Sequence, residues 1–195
     1  MSVVSIRDGK IGDCADLAIL DNIAGHGFSY WFWQGAVKMG KASDAYDWGR
    51  QRLMNGVGEF GWKNARIAEQ SDAVLGASIS YLLKDASIKE IEKEPAPIRP
   101  VMELFAQANG CWLLDALAVY SASRGKGIGR QLMTDVMARG RESDCKEAAL
   151  VAEDSNSAAL ALYQGFGFSE CSRLPYVPFN ISSDTKNWLL LKAPL

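Results

Sequence analysis

The sequence predicts a mixed α/β fold in a single domain of 195 residues. Short apolar runs of strand length alternate with segments whose apolar residues recur at helical spacing. A glycine-rich loop stands between one such strand and one such helix. Hydrophobic residues make up 48% of the chain and charged residues 23%, which is the composition of an ordinary globular domain with a sizeable core.

The first third of the chain reads as strand, helix, helix and strand. Residues 3–6 form a short apolar strand, and residues 13–23 carry apolar side chains every three or four positions, as a helix does. Ser43 is a candidate N-cap for a second helix that reaches about Met54. Two strands follow, at residues 64–69 and 73–83.

Residues 84–110 differ in composition from their surroundings. They begin with a charge-rich stretch, continue through three prolines and end in a short amphipathic helix within residues 98–105. We interpret this segment as an inserted connection inside the domain, since long connections of this kind are often functional.

The second half contains the strand that leads to the glycine-rich loop. Residues 111–119 form an apolar run of strand length, interrupted by Asp115, and a helix follows at about residues 127–139. The remaining predicted elements are a strand at 148–152, a helix at 156–164, and strands near 169–173 and 188–192.

The loop between the strand and the helix carries the main functional signal. It reads Arg124-Gly125-Lys126-Gly127-Ile128-Gly129. A helix N-terminus presents unpaired backbone N–H groups and about half a positive charge, and glycines remove the Cβ atoms that would block a bulky anion. Arg124, Lys126 and Arg130 add further positive charge. This combination suits a pyrophosphate.

Two well-known glycine loops do not match these residues. A Walker loop needs Ser or Thr after Gly-Lys, and here Gly127 follows Lys126. A dinucleotide fingerprint needs a third glycine, and its two possible registers place Arg130 or Leu132 there.

The spacing that remains is Arg-x-x-Gly-x-Gly, at Arg124, Gly127 and Gly129, preceded by Leu117-Ala118-Val119. It resembles the acyl-CoA-binding motif of the GCN5-related N-acetyltransferases, the GNAT family. Ser121 stands where the family usually has a proline.

A second segment, about 30 residues further on, resembles the family's Asn…Ala…Leu-Tyr…Gly-Phe pattern. Its matching residues are Asn156, Ala159, Leu162, Tyr163, Gly165, Phe166, Gly167 and Phe168. The two motifs together cover about residues 111–173, in the family's order and spacing.

The resemblance implies a GNAT-like fold with a mixed, mostly antiparallel sheet and helices on both faces. It also implies an enzyme that moves an acetyl group from acetyl-CoA to a primary amine by direct attack on the thioester, without a metal. A noncatalytic acyl-CoA-binding or sensing module is the alternative. Such a module would bind CoA but would consume no thioester with any amine.

The resemblance also assigns residues to the cosubstrate. The implied binding residues are Leu117, Val119, Arg124, Gly125, Lys126, Gly127, Ile128, Gly129, Asn156 and Tyr163. Leu117 and Val119 would act through backbone amides, which can also stabilise an oxyanion. Asn156 would bond the pantetheine arm, or cap the following helix, or both. Tyr163 occupies the position of the family's proton-donating tyrosine; the other interpretation is an ordinary residue at the core boundary.

Asp115 is the leading candidate for the general base. An alkylamine is neutral in only about one molecule in 2,500 at pH 7, so the site must supply a base or lower the amine's pKa. A carboxylate inside an apolar strand is costly unless it is paired or functional. The competing interpretation is a bond to a neighbouring N–H or basic side chain, and Glu103 and Glu153 are weaker candidates.

The acceptor is a small-molecule or peptide amine that the sequence does not identify. Aromatic residues concentrate within residues 28–33 and could stack on a cationic acceptor. Packing in the core, or at a homodimer contact, is the favoured interpretation.

Charge and composition argue against other partners and settings. A net charge of −2 without basic runs disfavours nucleic acid. No apolar run approaches the ~20 residues of a membrane span, and charged residues occupy the N-terminus where a signal peptide would be apolar. Four cysteines without a CxxC pair, together with a single histidine, disfavour zinc. We expect a cytoplasmic protein with reduced, mostly buried thiols.

Overall fold

The computed structural model describes residues 3–56, 59–179 and 184–195. The helices in these ranges are α1 (Cys14–Ala24), α2 (Phe28–Lys38), α3 (Ala45–Asn55), α4 (Arg99–Ala106), α5 (Ile128–Glu142) and α6 (Ser157–Gln164). The strands are β1 (Ser5–Asp8), β2 (Ala65–Gln70), β3 (Ala73–Leu82), β4 (Trp112–Val119), β5 (Glu147–Glu153), β6 (Ser169–Pro175) and β7 (Asn187–Pro194).

The seven strands follow the order β1-β2-β3-β4-β5-β7-β6. The pairs β1–β2, β2–β3, β5–β7 and β6–β7 are antiparallel, whereas β4 and β5 are parallel. The predicted mixed, mostly antiparallel sheet is therefore confirmed.

The chain divides into two compact units. The first comprises residues 1–81 and 115–136, and the second comprises residues 82–114 and 137–195. That the whole chain acts as one domain stays a prediction.

In the first unit, helices cover both faces of the sheet. Ile128 and Leu132 of α5 are fully buried in a cluster that also includes Leu117 and Val119 of β4. Helix α1 instead shares a crevice with Ala116 and Ala118. Successive residues of a strand point to opposite faces, so α5 and α1 lie on opposite sides of β4.

Strands β3 and β4 approach closely at the end that leads into the glycine-rich loop. The Tyr120 amide donates to the Leu75 carbonyl at 2.9 Å. A Cβ atom on Gly76 would lie 2.5 Å from the Ala118 carbonyl oxygen, closer than side chains tolerate. Glycine at this position therefore allows the backbone contact that fixes the end of β4.

In the second unit, the start of β4 pairs with β5 in the register Trp112 to Ala148, and β7 lies between β5 and β6. The inserted segment 84–110 contains α4, whose Leu104 is fully buried. This burial shows that part of the insertion packs into a core.

Several predicted boundaries are wrong in detail. The sequence analysis left out α2, whose aromatic side chains do not give a clean helical period. Asp44, rather than Ser43, caps α3, since its carboxylate accepts a hydrogen bond from the Asp47 amide at 2.9 Å. Strand β1 lies at Ser5–Asp8 instead of residues 3–6. All four cysteines are free, but two of them, Cys145 and Cys171, are not buried.

Candidate active site

The glycine-rich loop ends in the N-terminus of α5, as the sequence predicts. The Gln131 amide bonds to the Gly127 carbonyl at 3.1 Å, which closes the first turn of the helix. The amides of a first turn point out of the helix end, toward the loop. Gly125 and Gly127 have φ values of +74° and +78°, and no atom lies within 4 Å of a Cβ built on either. These glycines are needed for their left-handed backbone, and the space beside them is open.

The loop's basic side chains fold back on the loop itself. Arg124 Nε donates to the Val119 carbonyl at 3.0 Å, and Lys126 Nζ donates to the Ala122 carbonyl at 3.0 Å. Both residues are exposed. Their charges are therefore held beside the helix N-terminus and remain accessible to an anion.

Asp115 lies on β4, and a tyrosine is its hydrogen-bond partner. Tyr81 of β3 donates its hydroxyl to Asp115 Oδ2 at 2.5 Å. Burial raises the pKa of Asp115 to about 6, and the hydrogen bond from Tyr81 opposes part of that rise. The pKa of Tyr81 lies far above its usual range because of burial and the neighbouring Asp115 charge, so its hydroxyl stays protonated.

A second acidic side chain, Asp21 of α1, acts on the same site. Burial raises the pKa of Asp21 to about 7, and the charge of Asp115 contributes to the rise. A hydrogen bond with Ser29 and the positive charge of Arg52 oppose it. Two carboxylates that titrate near neutral pH are typical of a proton-transfer site.

Helix α6 and its N-cap residue, in the second unit, provide the two other predicted residues. The Asn156 side chain caps this helix by accepting from the Ala159 amide at 3.2 Å, so the capping interpretation is confirmed. Tyr163 is 9% exposed, and its ring lies 6.1 Å from that of Phe168. Burial raises the pKa of Tyr163 to about 12, which keeps the hydroxyl protonated at neutral pH.

The structure brings together residues that the sequence left separate. It pairs Asp115 with Tyr81 through a hydrogen bond, and the charge of Asp115 acts on Asp21. Sequence reasoning singled out neither Tyr81 nor Asp21. Nothing in the sequence marks either residue, because they approach Asp115 only through the packing of β3 and α1. Of the weaker candidates, Glu103 lies in α4 and Glu153 ends β5.

The described ranges hold no cluster of three or more His, Cys, Asp or Glu side chains arranged to bind a metal ion. Within them, no helix has the length and apolar character that a membrane span requires.

Residues 63–168 match the sequence model of a protein family described as the acetyltransferase (GNAT) family. The match spans more than half of the 195 residues and includes Asp115, the glycine-rich loop and α6.

Two curated relatives resemble parts of the chain. It is 42% identical over 78 residues to N-alpha-acetyltransferase MAK3 of Arabidopsis thaliana, covering 40% of the chain and 41% of that protein. It is 41% identical over 58 residues to N-alpha-acetyltransferase 30 of Saccharomyces cerevisiae, covering 30% of the chain and 33% of that protein. The match thus spans less than half the length of either relative.

The fold resembles solved acetyltransferase structures over nearly the whole chain. A polyamine N-acetyltransferase of Drosophila melanogaster superposes with a TM-score of 0.71, covering 99% of this chain and all of that one, at 13% identity. At that identity the likeness concerns the fold alone.

Proposed function

The chain belongs to the acetyltransferase (GNAT) family, and from that premise we propose that it transfers the acetyl group of acetyl-CoA to the α-amino group of a polypeptide. The observation that carries this proposal is the Asp115 carboxylate on β4, with its pKa raised to about 6 and Tyr81 as its hydrogen-bond partner. Acetyl-CoA supplies the activated thioester.

The N-terminus of α5 suits the diphosphate of acetyl-CoA. The first amides of the helix, the open space beside Gly125 and Gly127, and the exposed side chains of Arg124 and Lys126 all favour a multiply charged anion there. The other acetyl-CoA-binding residues in this proposal are Leu117 and Val119, through their backbone, and Asn156, in addition to its capping role.

An α-amine gives up its proton more readily than a lysine side chain, whichever base accepts it. Moving a proton from an α-ammonium, with a pKa of about 7.7–8.0, to a carboxylate with a pKa of about 6 is uphill by about 2.5 kcal/mol. For a lysine ammonium, with a pKa of about 10.4, the same step is uphill by about 6 kcal/mol. The two curated relatives are themselves named as N-alpha-acetyltransferases, which supports the same acceptor.

Tyr163 is the proposed proton donor to the departing thiolate. Its pKa is raised to about 12 by burial, so its hydroxyl is protonated at neutral pH and can donate a proton. A CoA thiol, with a pKa of about 8.5, needs only modest help to leave.

A peptide panel tests the acceptor. The same peptide would be prepared in three forms: with a free α-amine, with an acetylated α-amine and a free lysine, and with both amines blocked. Each form would be mixed with acetyl-CoA, and the release of free thiol would be measured. We expect thiol release with the first form, at least about 100-fold faster than with the second, given the difference of about 3.5 kcal/mol. Faster reaction of the lysine form would refute the proposed acceptor, and the doubly blocked form measures background hydrolysis.

Replacing Tyr163 by phenylalanine tests the proton donor. We expect kcat to fall by about 10²-fold, while the Kd for CoA changes less than threefold, because the ring and its contact with Phe168 remain. Thiol release measures kcat, and calorimetry measures the Kd for CoA. An unchanged kcat would remove Tyr163 from the mechanism.

A further inference from the structure

The Tyr81 hydroxyl holds one oxygen of the Asp115 carboxylate. Tyr81 is the penultimate residue of β3, and its Oη donates to Asp115 Oδ2 on the neighbouring strand β4 at 2.5 Å. The Tyr81 ring is 9% exposed, so close packing leaves the hydroxyl little freedom to point elsewhere. The direction of this hydrogen bond is therefore set by the sheet itself.

The other oxygen of Asp115 is left for a substrate. Among the described residues, Tyr81 is the only hydrogen-bond donor that acts on the pKa of Asp115. An ionised carboxylate has two acceptor oxygens, and Tyr81 occupies Oδ2. Asp115 is only half-buried. Oδ1 is therefore the oxygen that can come within hydrogen-bond reach of a bound amine, as a general base must.

Surrounding charges keep the proton on Tyr81. Burial is the main reason why the pKa of Tyr81 lies far above its usual range, and the bonded carboxylate, Glu59 and Asp21 of α1 add to the rise. Arg52 of α3 and a hydrogen bond with Ser29 of α2 act on Asp21 in the opposite direction, toward its charged form. Tyr81 therefore stays a hydrogen-bond donor throughout the pH range in which its partner titrates.

We propose that Tyr81 is a positioning residue for the general base: its hydroxyl holds Asp115 Oδ2, so that Oδ1 faces the acceptor amine and takes its proton. This rests on the proposed function and adds the residue that orients the base. A phenol that keeps its proton cannot accept one, so Tyr81 acts through Asp115. Orientation is worth a large factor in rate, because a misplacement of about 1 Å can cost about 10²-fold.

The protons balance in this scheme. One proton passes from the acceptor ammonium to Asp115 Oδ1, and the nitrogen lone pair left behind attacks the thioester carbonyl. The C–N bond forms as the C–S bond breaks, and a second proton leaves the nitrogen and ends on the thiolate sulfur. Asp115 then loses its proton to water. The O–H bond of Tyr81 stays intact throughout.

Tyr81→Phe tests the proposal, since it removes the hydroxyl and keeps the ring. At pH 8, where Asp115 is ionised, kcat/KM for the peptide with a free α-amine should be about 10-fold lower than in wild type, because the carboxylate is no longer held in one orientation. The pH at which kcat/KM falls should rise by about one unit, because the lost hydrogen bond had lowered the pKa of Asp115. The Kd for CoA should not change.

Tyr120→Phe is the matched control. Tyr120 also donates its hydroxyl to a carboxylate, that of Asp16, at 2.5 Å. Both variants should therefore lose a comparable amount of stability to urea unfolding. Only Tyr81→Phe should move the pH at which kcat/KM falls. An equal shift in Tyr120→Phe would show that the shift is not specific to the base, and would overturn the proposal.

A double-mutant cycle shows whether Tyr81 acts through Asp115. With Asp115→Asn already in place, adding Tyr81→Phe should change kcat/KM at pH 8 by less than about twofold, because the base that Tyr81 orients is gone. A general structural loss would instead lower kcat/KM by the same factor in both backgrounds. That outcome would refute the positioning role.

A titration without turnover separates this role from the proposed function. The carboxyl carbon NMR signal of Asp115, assigned by its loss in Asp115→Asn, should titrate at about pH 6 in wild type and about one unit higher in Tyr81→Phe. That shift in a protein that acetylates no peptide would refute the function and leave the hold of Tyr81 on Asp115 standing. Peptide acetylation by Tyr81→Phe with the wild-type rate and pH profile would refute only the positioning role.

Discussion

Replacing Gly127 by glutamate is expected to raise the Kd for CoA by at least 100-fold. Glutamate must adopt a φ near +78°, which L-residues disfavour by about 1–2 kcal/mol, and it places a carboxylate beside the amides proposed to bind the diphosphate. Charge repulsion adds to the loss. Because a carboxylate at a helix N-terminus stabilises the helix, the fold should survive. Calorimetric titration with CoA measures the effect.

Gly40→Glu is the matched control for this substitution. Gly40 has a φ of +68° and, like Gly127, no atom within 4 Å of a built Cβ, but it lies beyond the end of α2. It should carry the same backbone strain while leaving the Kd for CoA within twofold of wild type. Unchanged CoA affinity in Gly127→Glu would show that the diphosphate lies elsewhere.

The glycine-rich loop could be predicted from sequence because its signal is local. Two glycines with positive φ, basic neighbours and a following apolar helix period all lie within about ten residues, so no long-range contact is needed to recognise them. The same holds for Asn156, whose capping role depends on an amide three residues away. The resemblance to the family implies roles for these residues, which spacing alone does not give.

The surroundings of Asp115 could not be predicted in the same way. Tyr81 lies 34 residues before Asp115, and the hydrogen bond between them exists only because the strands carrying them pack together. Asp21 looks like an ordinary polar position of an amphipathic helix until the fold brings it close to Asp115. Helix α2 escaped prediction for a related reason: Trp33 is buried whereas Tyr30 is 37% exposed, and both are aromatic, so residue type does not reveal the buried face.

Asp115→Asn is expected to lower kcat/KM at pH 7.5 by about 10²–10⁴-fold, because the amine then loses its proton without a positioned base. An asparagine oxygen can still accept the Tyr81 hydroxyl, so the fold should remain. In wild-type protein kcat/KM should fall as the pH drops through about 6, because the Asp115 carboxylate then gains a proton. The Asp115→Asn variant should not show this fall in kcat/KM near pH 6. Its residual rate should rise with pH as more free amine forms.

Asp135→Asn is the control, since it removes a half-buried carboxylate that pairs with Arg66 at 3.0 Å. This variant should lose stability but keep its turnover. Wild-type activity in Asp115→Asn would assign the general base to another residue.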